Sequence, residues 1–181
     1  MPHDILRIPL FCKAMKILIA ALLLGIAHAD PVKELWPSKP FKYVVAYCYN
    51  PFYDMRGSSI TFDDGSLHEG VIRATTVRLD DAQTLKLRKI LSNDTKADHG
   101  GLLCYDPHHA FVFYDADWKV TASIDICFLC SDYKSRPKGS SEAIDLVALK
   151  TFCSQLGLPI LKSSPDYTKL FYQELPPKPV K

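Results

Sequence analysis

The chain has 181 residues, with 22 Lys and Arg against 20 Asp and Glu, so its net charge is only +2 at neutral pH. That length supplies one domain, long enough to bury a core without help. The charge balance, with no polybasic run, excludes a nucleic-acid groove and a basic membrane patch.

In chain order, the first feature is an export pattern. Lys16 precedes the apolar run Ile17 to Ile26, and Ala27-His28-Ala29 follows with the A-x-A spacing of a secretory cleavage site. The run is too short to span a bilayer, which takes roughly 20 residues. Residues 1–14 include Asp4 and two prolines, so Met15 is the expected true start. A signal peptide is therefore expected over 1–29, a single α+β domain over 30–175, and a mobile Pro-rich tail over 176–181. Asp30, not cysteine, follows the cleavage site, so no lipid anchor is expected. The expected product is periplasmic or secreted, with no stable membrane insertion after cleavage.

Removing residues 1–29 leaves 152 residues and takes away Arg7, Lys13, Lys16 and Asp4, which brings the net charge to zero. Cys48, Cys104, Cys127, Cys130 and Cys153 remain. An oxidising compartment favours disulfides among them, and an odd number leaves at least one sulfur for another use.

The β-branched and aromatic run from Phe41 to Cys48 predicts the first strand. Residues 50–57 are turn-rich, Ser59-Ile60-Thr61-Phe62 reads as a short strand entering the tight turn Asp63-Asp64-Gly65, and residues 71–79 read as the next strand. Asp80 and Gln83 have the spacing of a capping box, and Leu85, Leu87, Ile90 and Leu91 give the helix that follows its apolar side, ending near Ser92. His109, Phe111 and Phe113 alternate on one strand, and Val120, Ala122, Ile124 and Ile126 alternate on the next, with Asp115-Ala116-Asp117-Trp118 as the turn. Residues 131–140 read as a loop. Ile144 to Leu156 forms a second apolar-sided helix, stopped by Gly157 and Pro159. Residues 165–175 fit either a short helix or an edge strand. The expected fold is α+β: an antiparallel sheet of about five strands with two main helices packed on one face.

Chemistry concentrates between Cys104 and Cys130. Placing Phe113 opposite Val120 puts both apolar faces of the hairpin on one side. That register sets His108 against Asp125, His109 against Ile124, and Cys104 one position from Cys130 and two from Cys127. Three outcomes compete there. One is a disulfide from Cys104 to Cys127 or Cys130. Another is a zinc-like site using Cys104, Cys127 and Cys130 with His108 or His109. The third is thiol-disulfide chemistry by the C-x-x-C pair, although the strand context lacks the helix N-terminus such pairs use. A sharper idea makes His108, Asp125 and Cys127 a catalytic trio, against the simpler reading of a cross-strand His–Asp pair. His109 faces the aromatic side as a core histidine.

Other signals are plainer. Cys153 on an apolar helix side reads as a buried thiol, and Cys48 ends a strand with several partners open to it. Asp63-Asp64-Gly65 lacks the alternating ligands of a calcium loop. Tyr43, Tyr47, Tyr49, Phe52 and Tyr53 read as a core edge, with a binding platform as the other option.

The segment Cys104-Tyr105-Asp106-Pro107, the strand Ala110-Phe111-Val112-Phe113-Tyr114-Asp115, and the close Ile126-Cys127-Phe128-Leu129-Cys130 resemble a group of uncharacterised exported bacterial proteins with a C-Y-x-P … I-C-F-x-C pattern. The Leu149-Lys150-Thr151-Phe152 stretch and Gly157-Leu158 resemble that group's terminal helix. The resemblance covers about a third of the chain and implies kinship without an activity. His108 stands where the pattern usually has arginine, which argues against an obligatory ligand or base there. The resulting expectation is a non-enzymatic, disulfide-stapled binding module without a cofactor, whose partner is an envelope or extracellular protein. The alternative is a zinc-binding or thiol-active protein built on the same cysteines.

Overall fold

The computed structural model describes residues 34–93, 105–140 and 143–175. The expected signal peptide, Cys104 and the expected Pro-rich tail lie outside the described residues.

Five strands form one antiparallel sheet: β1 (Tyr43–Cys48), β2 (Val77–Arg78), β3 (His109–Tyr114), β4 (Val120–Cys127) and β5 (Asp132–Arg136), in the spatial order β2-β1-β3-β4-β5. Three helices accompany them: α1 (Asp81–Ser92), α2 (Leu146–Gln155) and α3 (Ser164–Glu174). The α+β class and the antiparallel sheet are those the sequence predicts, with α3 as a further helix. Among the described residues, no helix is long and apolar enough to cross a membrane.

Strand alternation builds two cores. Val44, Ala46, Phe111, Phe113, Ile124 and Ile126 pack on the face that receives Leu87 and Leu91 of α1, Leu149 and Phe152 of α2, and Phe171 of α3. Val45, Tyr47, Ala110, Val112 and Tyr114 line the opposite face, where Tyr49 and Ile60 cover them. Every residue of β3 is therefore buried. Full burial of one such aromatic or aliphatic side chain contributes about 1.5–3 kcal/mol.

Local signals explain the helices. Asp80 accepts the Gln83 N–H at 2.7 Å and Gln83 Oε1 accepts the Asp80 N–H at 2.9 Å, completing the capping box of α1. Asp145 caps α2 by accepting the Ala148 N–H at 2.8 Å. Pro165 falls in the first turn of α3, where its missing N–H costs nothing, and this resolves 165–175 as helix.

Several expectations change. Ser59 to Phe62 is not a strand of the sheet; Thr61 makes only an isolated bridge to Leu67. Most of 71–79 leaves the sheet too, because residues Arg73–Thr75 coil into a 3-10 turn. The Glu174 carboxylate accepts the N–H groups of Arg73 and Ala74 at 2.8 and 2.7 Å, competing with sheet pairing there. Conversely, part of the expected loop 131–140 is β5, paired with β4 along its whole length.

The hairpin register is also corrected, by two residues. Phe113 pairs with Ala122, His109 with Ile126, and Ala110 rather than His108 with Asp125. The turn holds more chain than the alternation reveals: Asp115 Oδ1 accepts the N–H groups of Asp117 and Lys119, both at 2.9 Å. A bulge between Phe113 and Tyr114 absorbs Thr121, whose hydroxyl donates to the Phe113 carbonyl at 3.2 Å. A two-residue shift keeps every side chain on its face, so hydrophobic patterning alone does not detect it.

Candidate functional site

Cys127 is the last residue of β4, and a tight turn leads from it into β5. Its sulfur is bonded to that of Cys130, with the two Cα atoms 5.3 Å apart. The bond thus closes the β4–β5 turn and occupies both sulfurs that the sequence reading offered to Cys104. Both residues are buried. The Cys130 N–H donates to Cys127 Sγ at 3.0 Å. Among the described residues, no group of three or more His, Cys, Asp or Glu side chains is placed to hold a metal ion. A thiolate pair for zinc would require the Cys127–Cys130 bond to be open.

The two histidines take different polar partners, although both rings lie against Tyr167. His109 lies in the helix-side core, with Nε2 2.9 Å from the Pro159 carbonyl, so that nitrogen carries the proton. Phe128 and Tyr167 flank the ring, with centroids at 4.9 and 5.6 Å. Burial pushes its pKa down to about 4, outweighing the Pro159 carbonyl, and His109 is a neutral core histidine.

His108 belongs to a polar junction at the start of β3. Its ring stacks on Tyr167 of α3, centroids 4.0 Å apart and planes 7° apart. Nδ1 is 3.2 Å from the Tyr49 carbonyl, which can only accept, so Nδ1 bears a proton. Nε2 is 3.2 Å from Asp106 Oδ2, an ion-pair distance, although off the direction of a hydrogen bond. The same Asp106 oxygen accepts the hydroxyl of Ser164, in the first turn of α3. Burial raises the Asp106 pKa, but the nearby His108 imidazole and the Ser164 hydroxyl outweigh it and hold the carboxyl below its ordinary value.

Asp125 works elsewhere, under the second sheet face. Its Oδ1 accepts the Ile60 N–H at 2.9 Å, and Thr61 and Ser123 join hydroxyls at 2.7 Å beside it, pinning the cover segment to β4. Burial raises its pKa to about 6 against the Ile60 hydrogen bond and the charges of Arg136 and Lys134. The proposed trio is thus distributed over three tasks: Cys127 in a disulfide, Asp125 holding Ile60, and His108 facing Asp106. Sequence reasoning missed Asp106, Ser164 and Tyr167. The available signal was the Ser-Ser-Pro helix start at 163–165, which marks a helix N-terminus where a carboxylate is favoured.

The tyrosine-rich stretch divides in two. Tyr47 and Tyr49 are core residues, whereas Phe52 is 66% exposed and Met55 96% exposed. Tyr53 packs at a tilt against Phe171, centroids 4.5 Å apart, and lies 6.4 Å from Tyr172, joining the exposed loop to α3. Asp54 holds the loop by pairing with Arg56 at 2.8 Å and accepting the Glu69 N–H at 3.1 Å.

What these features define is an α+β domain with a disulfide-closed strand turn, a buried polar junction under α3, and an exposed aromatic ridge. No protein-family model, no curated protein and no solved structure matches the chain.

Proposed function

We propose that the chain is exported and, once residues 1–29 are removed, acts as a disulfide-stapled binding module for an envelope or extracellular protein, akin to the exported C-Y-x-P … I-C-F-x-C group. The observation that carries this reading is the ridge formed at the 52–55 loop, where Phe52, Tyr53 and Met55 are exposed and Tyr53 lies 6.4 Å from exposed Tyr172 of α3. Contiguous exposed apolar surface marks interaction sites. Aromatic residues and Met are enriched at interfaces. The Asp54–Arg56 pair fixes the loop in advance, which lowers the ordering cost of binding.

Two measurements test it. N-terminal sequencing of the product released by an exporting cell is expected to begin at Asp30; retention of residues 1–29 counts against export. A photo-crosslinking side chain at Met55 is expected to give discrete protein adducts in that cell, lost in Tyr53→Ser/Tyr172→Ser. Adducts no different from those at exposed Lys89 would remove the ridge from consideration.

A second reading, thiol activity or zinc binding at Cys127 and Cys130, draws on the Cys130 N–H aimed at Cys127 Sγ. On reduction that donor favours a Cys127 thiolate. Reduced protein that takes up stoichiometric zinc, or exchanges with a small disulfide faster than Cys127→Ser, would favour this reading over the first.

A further inference from the structure

Trp118 stands at the tip of the β3–β4 hairpin with φ of 60°. This left-handed backbone is costly for a bulky residue and far less so for glycine. The turn itself does not need the indole: Asp115 organises it through the N–H groups of Asp117 and Lys119. Nor is the side chain buried as a core residue, since 52% of it remains exposed.

Its surroundings instead hold it as a fixed plate. The indole stacks on Tyr43, centroids 4.6 Å apart and planes 23° apart, and Tyr114 abuts it at 5.4 Å. The Arg78 guanidinium lies 4.1 Å from the Tyr43 ring centroid and 5.7 Å from that of Trp118. Exposed Asp117 and Lys119 flank the indole in sequence, and exposed Arg78 flanks it in space. A strained backbone carrying a rigid, half-open aromatic surface is a feature that packing alone does not explain, and such outliers point toward function.

We infer that Trp118, supported by Tyr43, is a binding platform for a pyranose ring of a glycan. A pyranose has an apolar face of C–H groups that matches an indole plane and a rim of hydroxyls. Asp117 can accept from those hydroxyls, while Arg78 and Lys119 can donate to them. A proline-rich peptide needs a groove between aromatic residues, and here the Trp118 and Tyr43 rings lie against each other, centroids 4.6 Å apart. The site lies at the Tyr43 end of β1, whereas the ridge adjoins the Cys48 end. It therefore stands independently of the protein-binding reading.

Calorimetric titration of the purified chain with two probes tests this: hexasaccharides of β-1,4-linked N-acetylglucosamine and of β-1,4-linked glucose. Saturable binding of at least one is expected, about tenfold weaker or lost in Trp118→Gly and partly retained in Trp118→Tyr. Because glycine relieves the φ of residue 118, the Gly variant should melt no lower than the parent. If it does melt lower, Asp117→Ala takes its place: several-fold weaker binding supports the site, and unchanged binding overturns it. Absence of saturable heat with both sugars, or equal affinity in Trp118→Gly, also overturns it. Binding of a proline-rich peptide or a mononucleotide in their stead would overturn the glycan assignment.

Discussion

The Asp106 carboxylate accepts the hydroxyl hydrogen bond of Ser164, 58 positions later in the chain, and so fastens the first turn of α3 to the strand end entering β3. The N-cap residue Ser163 makes no capping bond; its hydroxyl donates to Asp166 at 2.7 Å. Asp106 therefore adds to Asp166 of the first turn the negative charge that a helix N-terminus favours.

Asp106→Ala is expected to destabilise the fold by about 1–3 kcal/mol, because the partners it leaves are partly buried. Combined with Ser164→Ala in a double-mutant cycle by chemical denaturation, it should show a coupling of at least about 0.5 kcal/mol; strict additivity would mean the bond contributes nothing. The folded pKa of Asp106 is depressed, so its contribution is present above the unfolded value near about 3.9. It is lost as pH falls through the lower folded value.

Asp125 has the opposite sign. With a folded pKa raised to about 6, it favours the fold most below its unfolded value of about 3.9, and that contribution disappears as pH rises through about 6. Asp125→Asn keeps an oxygen for the Ile60 N–H and removes the titration. Stability measured from pH 4 to 8 should fall less steeply in the variant, with the variant ahead above pH 6 by on the order of 1–3 kcal/mol. Parallel curves would show that Asp125 titrates normally.

Non-reducing peptide mapping should find Cys127 and Cys130 joined within the tryptic segment Val120 to Lys134, two hydrogens lighter than its reduced form. A disulfide linking that segment to one containing Cys104 would replace the bond seen here. Because the bridge spans so few residues, Cys127→Ser should cost only about 2 kcal/mol by loop entropy, and the domain should still fold.

Phe111 lies on the central strand, fully buried, 6.1 Å from Phe152 of α2 between ring centroids. Phe111→Ala should cost about 3–5 kcal/mol in denaturant unfolding, through lost transfer energy and the cavity left behind. A loss below about 1 kcal/mol would contradict its place in the core.

The legible parts of the fold were those governed by near neighbours in sequence. Asp80 and Gln83 form their capping box wherever the chain goes, and alternation at Phe111, Phe113, Ile124 and Ile126 specifies a face without a partner. The hairpin register depended on how Asp115 folds the turn and where Thr121 bulges, and neither changes the alternation. β5 escaped notice because an edge strand needs no apolar alternation, and Asp132 to Arg136 is mostly polar. In the site, the cysteine pair was visible, but its bonding was not. Asp106 and Ser164 carried no visible relation, since each is an ordinary polar residue until α3 docks.

Taken alone, the residue order determined the α+β class, the helices at 81–92 and 146–155, and the burial of His109, because periodicity and capping act over a few residues. Only the tertiary structure decided that Cys127 bonds Cys130, that His108 faces Asp106 rather than Asp125, and that Phe52 and Met55 stay in solvent while Tyr47 and Tyr49 do not. Those outcomes depend on which distant segments cover each face of the sheet, and long-range packing settles that.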